Sequence, residues 1–320
     1  MTRRLPLRSL CSLCSLWLIF SAFSSASFSA FSPPSATRIV LLGTGTPNAE
    51  PDRSGPATAI VVGDTPYLVD MGPGVVRRAT AARRNGVEAL RPSNLGRVFV
   101  THLHSDHTLG FSDLIFTPWV LERAVPLQVY GPPGIAAMSA HLLAAYKEDV
   151  DLRLNGLEPA NAFGYQVEAH EITPGVVYKD ASVTVEAFAV PHGSWKHAFG
   201  FKFTTPDGVI VISGDTGPFD GLVEIAKGAD VLVHEVYATE GWKKREPVWQ
   251  QYHAAFHTSG AKVGEIATRA GVATVILTHQ LTWSATDAQL VDEVRSTFAW
   301  RLISGRDLEV FDLAELRRRL

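Results

Sequence analysis

The sequence has almost no cysteine: its 320 residues include two, Cys11 and Cys14, and both lie close to the N-terminus. Without a thiol beyond position 14, the body of the chain can form neither a disulfide scaffold nor a cysteine-ligated zinc site. We interpret the C-x-x-C spacing as a coincidence within an apolar, small-residue run rather than as a redox site. Any metal bound by the body must therefore be held by imidazole and carboxylate groups.

An excess of positive charge is also absent. The chain has 29 lysines and arginines against 32 acidic residues, a formal net charge of −3. Within residues 111–191, four basic residues (Arg123, Lys147, Arg153, Lys179) stand against ten acidic ones. A chain without a broad basic surface lacks the usual means of binding a phosphate backbone, so this balance disfavours nucleic acid as a partner.

Long apolar runs are scarce, and the most prominent one lies near the N-terminus. Three arginines precede the short apolar run Leu16–Phe20, and small residues follow it as far as Pro33 and Pro34. This order is typical of a secretory signal, although a retained membrane anchor and a misassigned start codon are alternatives. We expect residues 1–36 to be a signal peptide or N-terminal anchor. The rest would then be exported, periplasmic or secreted, and would contact a membrane only through an uncleaved leader.

The body of the chain has the composition of a globular domain with a large core, since 46% of all residues are hydrophobic and 19% are charged. Short β-branched runs predict strands at Arg38–Leu42, Thr58–Val62, Tyr67–Asp70, Val98–Thr101, Leu127–Tyr130, Gln166–Ala169, Val183–Val190, Phe199–Phe203, Val209–Ile212, Val231–Val233, Thr274–Leu277 and Leu308–Phe311. Helical patterns cover Gly74–Arg84, Gly134–Tyr146, Thr258–Arg269 and Asp287–Phe298. Hairpins mixed with α-β units predict one layered α/β domain over residues 37–320, with helices covering two sheets.

A dense group of metal-binding side chains follows the strand predicted at Val98–Thr101. Three histidines and an aspartate occur within six residues, His102, His104, Asp106 and His107. Packing that many polar rings together without a shared cation would leave lone pairs unsatisfied. His102 and His104 alternate onto one side of an extended chain, as two ligands of one ion require, and the following turn can serve a second ion.

Three further residues follow predicted strands at some distance along the chain. His192 comes after the strand ending at Val190, Asp215 follows Val209–Ile212, and His279 follows Thr274–Leu277. A single histidine after a strand is ordinarily a structural residue. Because the histidine cluster also follows a strand, the shared placement favours all three as ligands of the same centre.

With these residues in view, the chain resembles the metallo-β-lactamase-fold hydrolases, and within them the branch that contains ribonuclease Z and arylsulfatase-like enzymes. The resemblance covers nearly all of Arg38 to Leu313. Its elements are Leu42-Gly-Thr-Gly-Thr-Pro47, Val69-Asp70-Met-Gly72, the His-x-His-x-Asp-His loop, Pro191-His192-Gly193, Ser213-Gly-Asp215-Thr216, His234-Glu235, His257-Thr258 and Leu277-Thr-His279.

The resemblance implies a four-layer αββα sandwich that holds two divalent metal ions. One ion would be bound by His102, His104 and His192, the other by Asp106, His107 and His279, with Asp215 bridging both. A set of histidines and carboxylates without cysteine suits Zn²⁺ first, and Mn²⁺ or Fe²⁺ are alternatives.

The resemblance also implies two catalytic residues outside the ligand set. His257 would open a helix and approach the reacting group, and Glu235 would orient it; Asp106 joins them as a catalytic residue through its place at the metal. An imidazolium near a departing oxygen can neutralise charge or supply a proton. The alternative is that His257 only begins the helix and that Glu235 faces solvent.

These features together predict a dinuclear-metal hydrolase of small-molecule phosphodiesters or aryl sulfates. Alternatives are a ribonuclease Z-type endonuclease, a lactonase or β-lactam hydrolase, and a non-catalytic exported metal-binding scaffold. A homodimer is the commonest oligomer and is compatible with the sequence. Four aromatic residues could form a wall for an organic leaving group, namely Trp119, Trp195, Trp242 and Phe256.

Overall fold

The computed structural model describes residues 36–318. The predicted signal peptide or anchor therefore lies, apart from residue 36, outside the described residues. None of the helices in the described part combines the length and the apolar character that crossing a membrane would need. The first strand begins at Thr37, and one domain over residues 37–320 stays a prediction.

The described residues form two seven-stranded sheets. The first sheet contains β1 (Thr37–Gly43), β2 (Ala57–Val62), β3 (Thr65–Val69), β4 (Arg97–Phe99), β5 (Leu127–Gly131), β6 (Val167–Glu171) and β14 (Val310–Asp312), in the order β14-β1-β2-β3-β4-β5-β6. The second contains β7 (Gly175–Lys179), β8 (Thr184–Ala189), β9 (Phe199–Thr205), β10 (Gly208–Ile212), β11 (Val231–Tyr237), β12 (Thr274–Leu281) and β13 (Arg301–Ser304), in the order β13-β12-β11-β10-β9-β8-β7.

Helices fill the connections between the strands. They are α1 (Val75–Arg84), α2 (Ser105–Thr108), α3 (Phe111–Val120), α4 (Ile135–Ala145), α5 (Lys147–Asn155), α6 (Gly221–Ala226), α7 (Thr239–Trp242), α8 (Pro247–Phe256), α9 (Gly260–Ala270), α10 (Asp287–Arg295) and α11 (Leu313–Leu316). Helix ends follow local rules: Thr286 and Gln289 form a capping box before α10, and Gly271 ends α9 with a φ of 71°.

Each sheet is parallel in one half and antiparallel in the other. Strands β3 to β6 pair in parallel, whereas β14, β1, β2 and β3 pair antiparallel. Strands β10 to β13 pair in parallel, whereas β7 to β10 pair antiparallel. The parallel halves bring the carboxyl ends of several strands to one edge, where ligands of α/β proteins usually bind.

Three hydrophobic clusters separate four layers. In β1, Ile39 and Leu41 face the cluster between the two sheets, while Val40 and Leu42 face the cluster beneath α1, α3 and α4. The second sheet divides in the same way, since the alternate residues of β10 and β11 pack either between the sheets or beneath α6, α9 and α10. Strands buried on both faces read as continuous apolar runs, which is why the sequence located them. The predicted four-layer αββα architecture is confirmed.

The sequence missed elements with weak patterns. Strands β7 and β13 are only partly buried, so their residues lack a clear alternation of apolar and polar side chains. Helix α3 contains Pro118, which argues against a helix interior. Two strands extend well beyond their predicted ends, because the strand predicted to stop at Val233 continues to Tyr237 and the one predicted to stop at Leu277 continues to Leu281.

Arg123 supplies the hydrogen bond that Pro118 removes from helix α3. Proline has no N–H to donate to the carbonyl four residues earlier, that of Leu114, and the fully buried guanidinium of Arg123 donates to this oxygen at 2.8 Å. It also donates to the carbonyls of Leu95, Ile115 and Gly164. Burial lowers the pKa of Arg123 to about 10. Arg123 is therefore a structural cation, which leaves residues 111–191 with fewer surface cations than the sequence count suggests.

Replacing Arg123 with methionine should destabilise the fold by about 3 kcal/mol, because four buried carbonyls lose their donor. The matched control is Arg77→Met, which removes an exposed arginine paired with Asp113 and should change stability by less than about 1 kcal/mol. Urea unfolding followed by circular dichroism measures both. Equal midpoints for the two variants would contradict the structural role of Arg123.

Candidate metal centre

The candidate site lies where the carboxyl ends of strands from both sheets meet. Asp70 follows β3, His102 follows β4, and Asp215 follows β10, while Glu235 and His279 lie in the last residues of β11 and β12. His192 follows β8, which runs in the same direction as β10 because each pairs antiparallel with β9. The common strand direction is the reason why residues far apart in sequence reach one place.

The structure brings together all seven residues predicted as ligands. On one side, Nδ1 of His104 lies 2.8 Å from Nε2 of His102 and 3.1 Å from Nε2 of His192. His102 and His192 are buried, and His104 is partly exposed. These three nitrogen atoms face one point, in an arrangement that can hold a metal ion.

The other four residues form the adjoining half of the site. Nε2 of His279 lies 3.1 Å from Oδ2 of Asp106 and 3.4 Å from Oδ2 of Asp215. Nε2 of His107 lies 3.3 Å from the same Asp215 oxygen, and all four side chains are buried. Asp215 also shares a potential ligand group with His102 and His107, so it lies beside both halves.

A β-bulge aims His279 at the site. Thr278 pairs with Glu235 and Gln280 pairs with Val236, so His279 is left as an extra residue between the two pairs. Its φ of 43° is uncommon for a residue other than glycine. Bulges redirect side chains near active sites, and this one turns a strand residue into the centre.

Asp70 fixes the orientation of two histidines at once. Its carboxylate accepts hydrogen bonds from the Thr101 hydroxyl at 2.9 Å and from Nδ1 of His107 at 2.8 Å. Since that hydroxyl donates to Asp70, it accepts from Nδ1 of His102, 3.0 Å away. Nδ1 of both rings therefore carries a proton, and Nε2 is the nitrogen that faces the centre. On His102 this nitrogen keeps a lone pair, whereas on His107 it is the position from which a bound cation would displace a second proton.

The remaining two histidines of the first half have different partners. Nδ1 of His192 donates to the carbonyl of Phe256 at 2.8 Å, which again leaves Nε2 with a lone pair. Nε2 of His104 instead accepts from the indole N–H of Trp195 at 2.6 Å. An indole can only donate, so this bond places the His104 proton on Nδ1. Ligation through Nδ1 of His104 therefore requires Trp195 to release Nε2.

Charge at the centre favours cations. Burial acts to lower the pKa of His107, but the carboxylates of Asp215 and Asp70 outweigh it and hold that pKa well above its usual value. Burial acts to raise the pKa of Asp215, but His279 and His107 outweigh it and hold that pKa well below its usual value. In contrast, burial lowers the pKa of His192 to about 4. The half of the centre that contains the carboxylates therefore favours protonated histidines, whereas the half that contains His192 favours neutral imidazoles.

The residues present fit divalent cations. Nε2 of His107 is buried and has no hydrogen-bond partner among the described residues. Buried polar atoms are normally paired, so an unpaired ring nitrogen 3.3 Å from the Asp215 carboxylate suits a bound cation. The donor set contains nitrogen and oxygen but no sulfur. It forms four overlapping groups of three side chains, and Asp215 belongs to two of them, one with His102 and His107 and one with His257 and His279.

Glu235 and His257 form a buried pair in the wall of the centre. Oε2 of Glu235 lies 3.1 Å from Nδ1 of His257, which in turn lies 3.9 Å from Oδ2 of Asp215. The other Glu235 oxygen accepts from the backbone N–H of Thr258 at 2.7 Å. Burial raises the pKa of Glu235 and lowers the pKa of His257 to about 4.

Two details of the sequence interpretation of this pair are wrong. The helix predicted from Thr258 begins at Gly260, and His257 ends α8 rather than opening α9. Its extended backbone, with φ −137° and ψ 166°, turns the ring back toward the metal centre. The alternative that Glu235 faces solvent is also wrong, because the side chain is 1% exposed.

Residues that the sequence did not assign to the site also contribute. Asp70 was recognised only as part of a turn, yet its position directly after a strand is the same signal that identified Asp215. Of the four aromatic residues proposed as a wall, Trp195 and Phe256 contact His104. Trp119 instead packs on Tyr165 and donates to the backbone of Asn161, and Trp242 packs on Tyr237 and donates to the backbone of Gln250.

Comparison with known proteins agrees with this geometry. The family model described as the Beta-lactamase superfamily domain matches residues 65–280. A ribonuclease Z of Mycobacterium bovis (strain BCG / Pasteur 1173P2) is 35% identical over 244 residues, covering 75% of this chain and 85% of the relative.

Solved structures share the fold at lower identity. The metallo-β-lactamase fold protein YhfI from Bacillus subtilis aligns with a TM-score of 0.67 at 16% identity, covering 87% of this chain and 99% of that one. The short form of human tRNase Z aligns with a TM-score of 0.64 at 19% identity, covering 86% of this chain and 99% of that one.

These relatives correct one expectation and establish the family. The expectation that the body of the chain is exported is wrong, because the relatives that it matches are ribonuclease Z proteins. The fold implies divalent metal ions, and the described part of this chain carries groups of histidine and aspartate side chains that could bind them. The chain belongs to the metallo-β-lactamase-fold, metal-dependent hydrolases, in the branch of ribonuclease Z.

Proposed function

We propose that this chain is a dinuclear-metal phosphodiesterase that cleaves RNA in the manner of a ribonuclease Z. The observation that carries the proposal is the Glu235–His257 pair, which lies beside Asp215 in the wall of the metal centre. A proton donor next to the reacting group suits an ester whose leaving oxygen must be protonated. The 35% identity to a ribonuclease Z over most of both chains supports the same choice.

Each half of the site would hold one ion. His102, His104 and His192 would bind the first, Asp106, His107 and His279 would bind the second, and Asp215 would bridge them. We propose Zn²⁺ as the resident metal, because imidazole and carboxylate ligands without sulfur suit it. Bound divalent cations would acidify water and offset the charge that develops on the phosphate.

His257 would act on the leaving group. Its Nδ1 faces Glu235, so Nε2 is the ring nitrogen that can hold a proton toward the substrate. As the bond from phosphorus to the leaving oxygen breaks, Nε2 of a doubly protonated His257 would pass its proton to that oxygen and leave a neutral ring. Burial alone lowers the pKa of His257 to about 4, so this step requires the negative phosphate beside the ring to raise that pKa and an ionised Glu235 to accept from Nδ1. Asp106 and Asp215 would hold the metals in place and keep the centre negative before substrate arrives.

A small-molecule phosphodiesterase is the second candidate. The observation in its favour is the acidic character of residues 111–191, in which one of the four basic residues, Arg123, is buried and bound to carbonyl groups. That segment offers little to clamp a long RNA. Both candidate functions hydrolyse a phosphodiester bond. They differ in whether the groups joined to the phosphate are RNA nucleotides or parts of a small molecule.

A substrate panel separates the candidates. We expect the metal-loaded protein to cleave a 3′-extended precursor tRNA and to hydrolyse bis(p-nitrophenyl) phosphate, since one centre serves both phosphodiesters. An aryl sulfate, a lactone and nitrocefin provide the comparison. Turnover of the small diester without cleavage of RNA would select the second candidate. Preference for the sulfate, the lactone or nitrocefin would contradict phosphodiester chemistry.

The substitution Asp70→Asn should weaken metal binding about 10- to 100-fold. An asparagine amide can donate to Nδ1 of His107, and this would move the ring proton to Nε2, where the lone pair is needed. Competition with a chromophoric chelator measures the affinity. The control is Asp64→Asn, at an exposed turn residue. If Asp70→Asn retains the affinity of the control, Asp70 does not set the histidine tautomers.

The substitution His257→Ala should lower kcat for precursor tRNA about 100-fold while two ions remain bound, because the proton donor is lost but no predicted ligand is. His141→Ala, at an exposed residue of α4, is the control. Steady-state kinetics and elemental analysis are needed together. A kcat within twofold of the control would reduce His257 to a structural residue.

A further inference from the structure

Arg245 carries a charge that nothing on the described part of the chain compensates. It lies between α7 and α8, and its guanidinium carbon is 5.7 Å from the ring centres of both Trp249 and Trp283. Its Nε is buried without a hydrogen-bond partner, and no described carboxylate forms an ion pair with it. Arginine stacked on aromatic rings is held flat and keeps its planar edge for an anion such as phosphate.

The two tryptophans are themselves unusually placed. Trp249 is 45% exposed, although a large aromatic ring is normally covered. Trp283 has a φ of 49°, a strained conformation for a bulky residue, and strain of this kind concentrates at ligand sites. Trp283 also lines a polar cavity of about 510 Å³, which is within the size range of small-ligand pockets. Its charged lining residues are Arg53 and Arg306 together with Glu50, Asp52 and Asp287.

The side chain of His253 connects this cluster to the reaction site. The ring of His253 lies 4.6 Å from that of Trp283 and 5.8 Å from that of His257. His253 is 8% exposed, and its Nδ1 has no hydrogen-bond partner among the described residues. A ligand in the cluster would therefore lie next to an ester held at His257.

We propose that Arg245, Trp249 and Trp283 form a nucleotide subsite that binds one unit of single-stranded RNA beside the scissile phosphate. Arg245 binds the flanking phosphate through its guanidinium edge, and an exposed indole face stacks on the base. Base stacking on aromatic side chains tolerates any sequence. The subsite rests on the proposed function, and it gives a chain with few surface cations in residues 111–191 another means of holding RNA.

Binding of a fluorescein-labelled phosphorothioate hexauridylate to the full-length, metal-loaded protein tests the subsite. We expect Arg245→Gln to raise the Kd measured by fluorescence anisotropy about tenfold, because a charge-assisted contact is lost. Trp249→Leu should produce a similar loss. Lys244→Gln is the matched control, because it removes a neighbouring exposed positive charge that is not held between aromatic rings, and it should change Kd less than twofold.

A third variant and a stability measurement separate binding from folding. Arg245→Lys keeps the charge but loses the planar edge, so its Kd should lie between those of the wild type and Arg245→Gln. Thermal midpoints within a few degrees of the wild type would show that the variants are folded. Equal Kd values for Arg245→Gln and Lys244→Gln would overturn the proposal, because non-specific electrostatic attraction between RNA and positive surface charge would then explain the binding.

The test also separates failure of the subsite from failure of the proposed function. If the wild-type protein hydrolyses bis(p-nitrophenyl) phosphate but does not bind hexauridylate, the subsite is wrong and phosphodiester chemistry stands. If binding depends on Arg245 but no phosphodiester in the panel is cleaved, the subsite stands and the proposed function is wrong.

Discussion

The centre depends on imidazole lone pairs being turned inward and kept there by partners outside the centre. Asp70 holds His107 directly and His102 through the Thr101 hydroxyl, while a backbone carbonyl holds His192. Lone pairs facing one another across a buried space are unfavourable unless something positive joins them. Bound cations would therefore stabilise this arrangement of side chains, and the two carboxylates at the centre would strengthen cation binding.

The sheets supply the rigidity that this arrangement needs. Parallel strands deliver their last residues to one edge, and the pairing of β8, β9 and β10 returns His192 to the same edge. Where a regular strand would miss the centre, as in β12, a bulge corrects the direction of one side chain, His279. Buried contacts such as the Arg123 network lie away from the centre and hold the helices that cover the first sheet.

Much of this could be predicted from the sequence, and the rest depends on tertiary contacts. Strand-end positions predicted the candidate ligands that the structure brings together, because buried strands leave a strong apolar pattern. The same pattern does not reveal which carboxylate bonds to which ring, so the roles of Asp70 and Trp195 became visible only in three dimensions. His257 was located correctly as a residue of the site but with the wrong helix boundary, since an extended residue between two helices has no pattern of its own. Arg123 shows that composition can mislead, because a basic residue counted toward surface charge is buried.

The central claim is that these side chains form a two-cation centre bound only by nitrogen and oxygen. X-ray absorption spectroscopy at the zinc edge, combined with elemental analysis of the same reconstituted sample, tests it directly. The account predicts two ions per chain, with imidazole scattering and no sulfur in the coordination shell. One ion or fewer per chain after reconstitution, or a shell without imidazole, would contradict it.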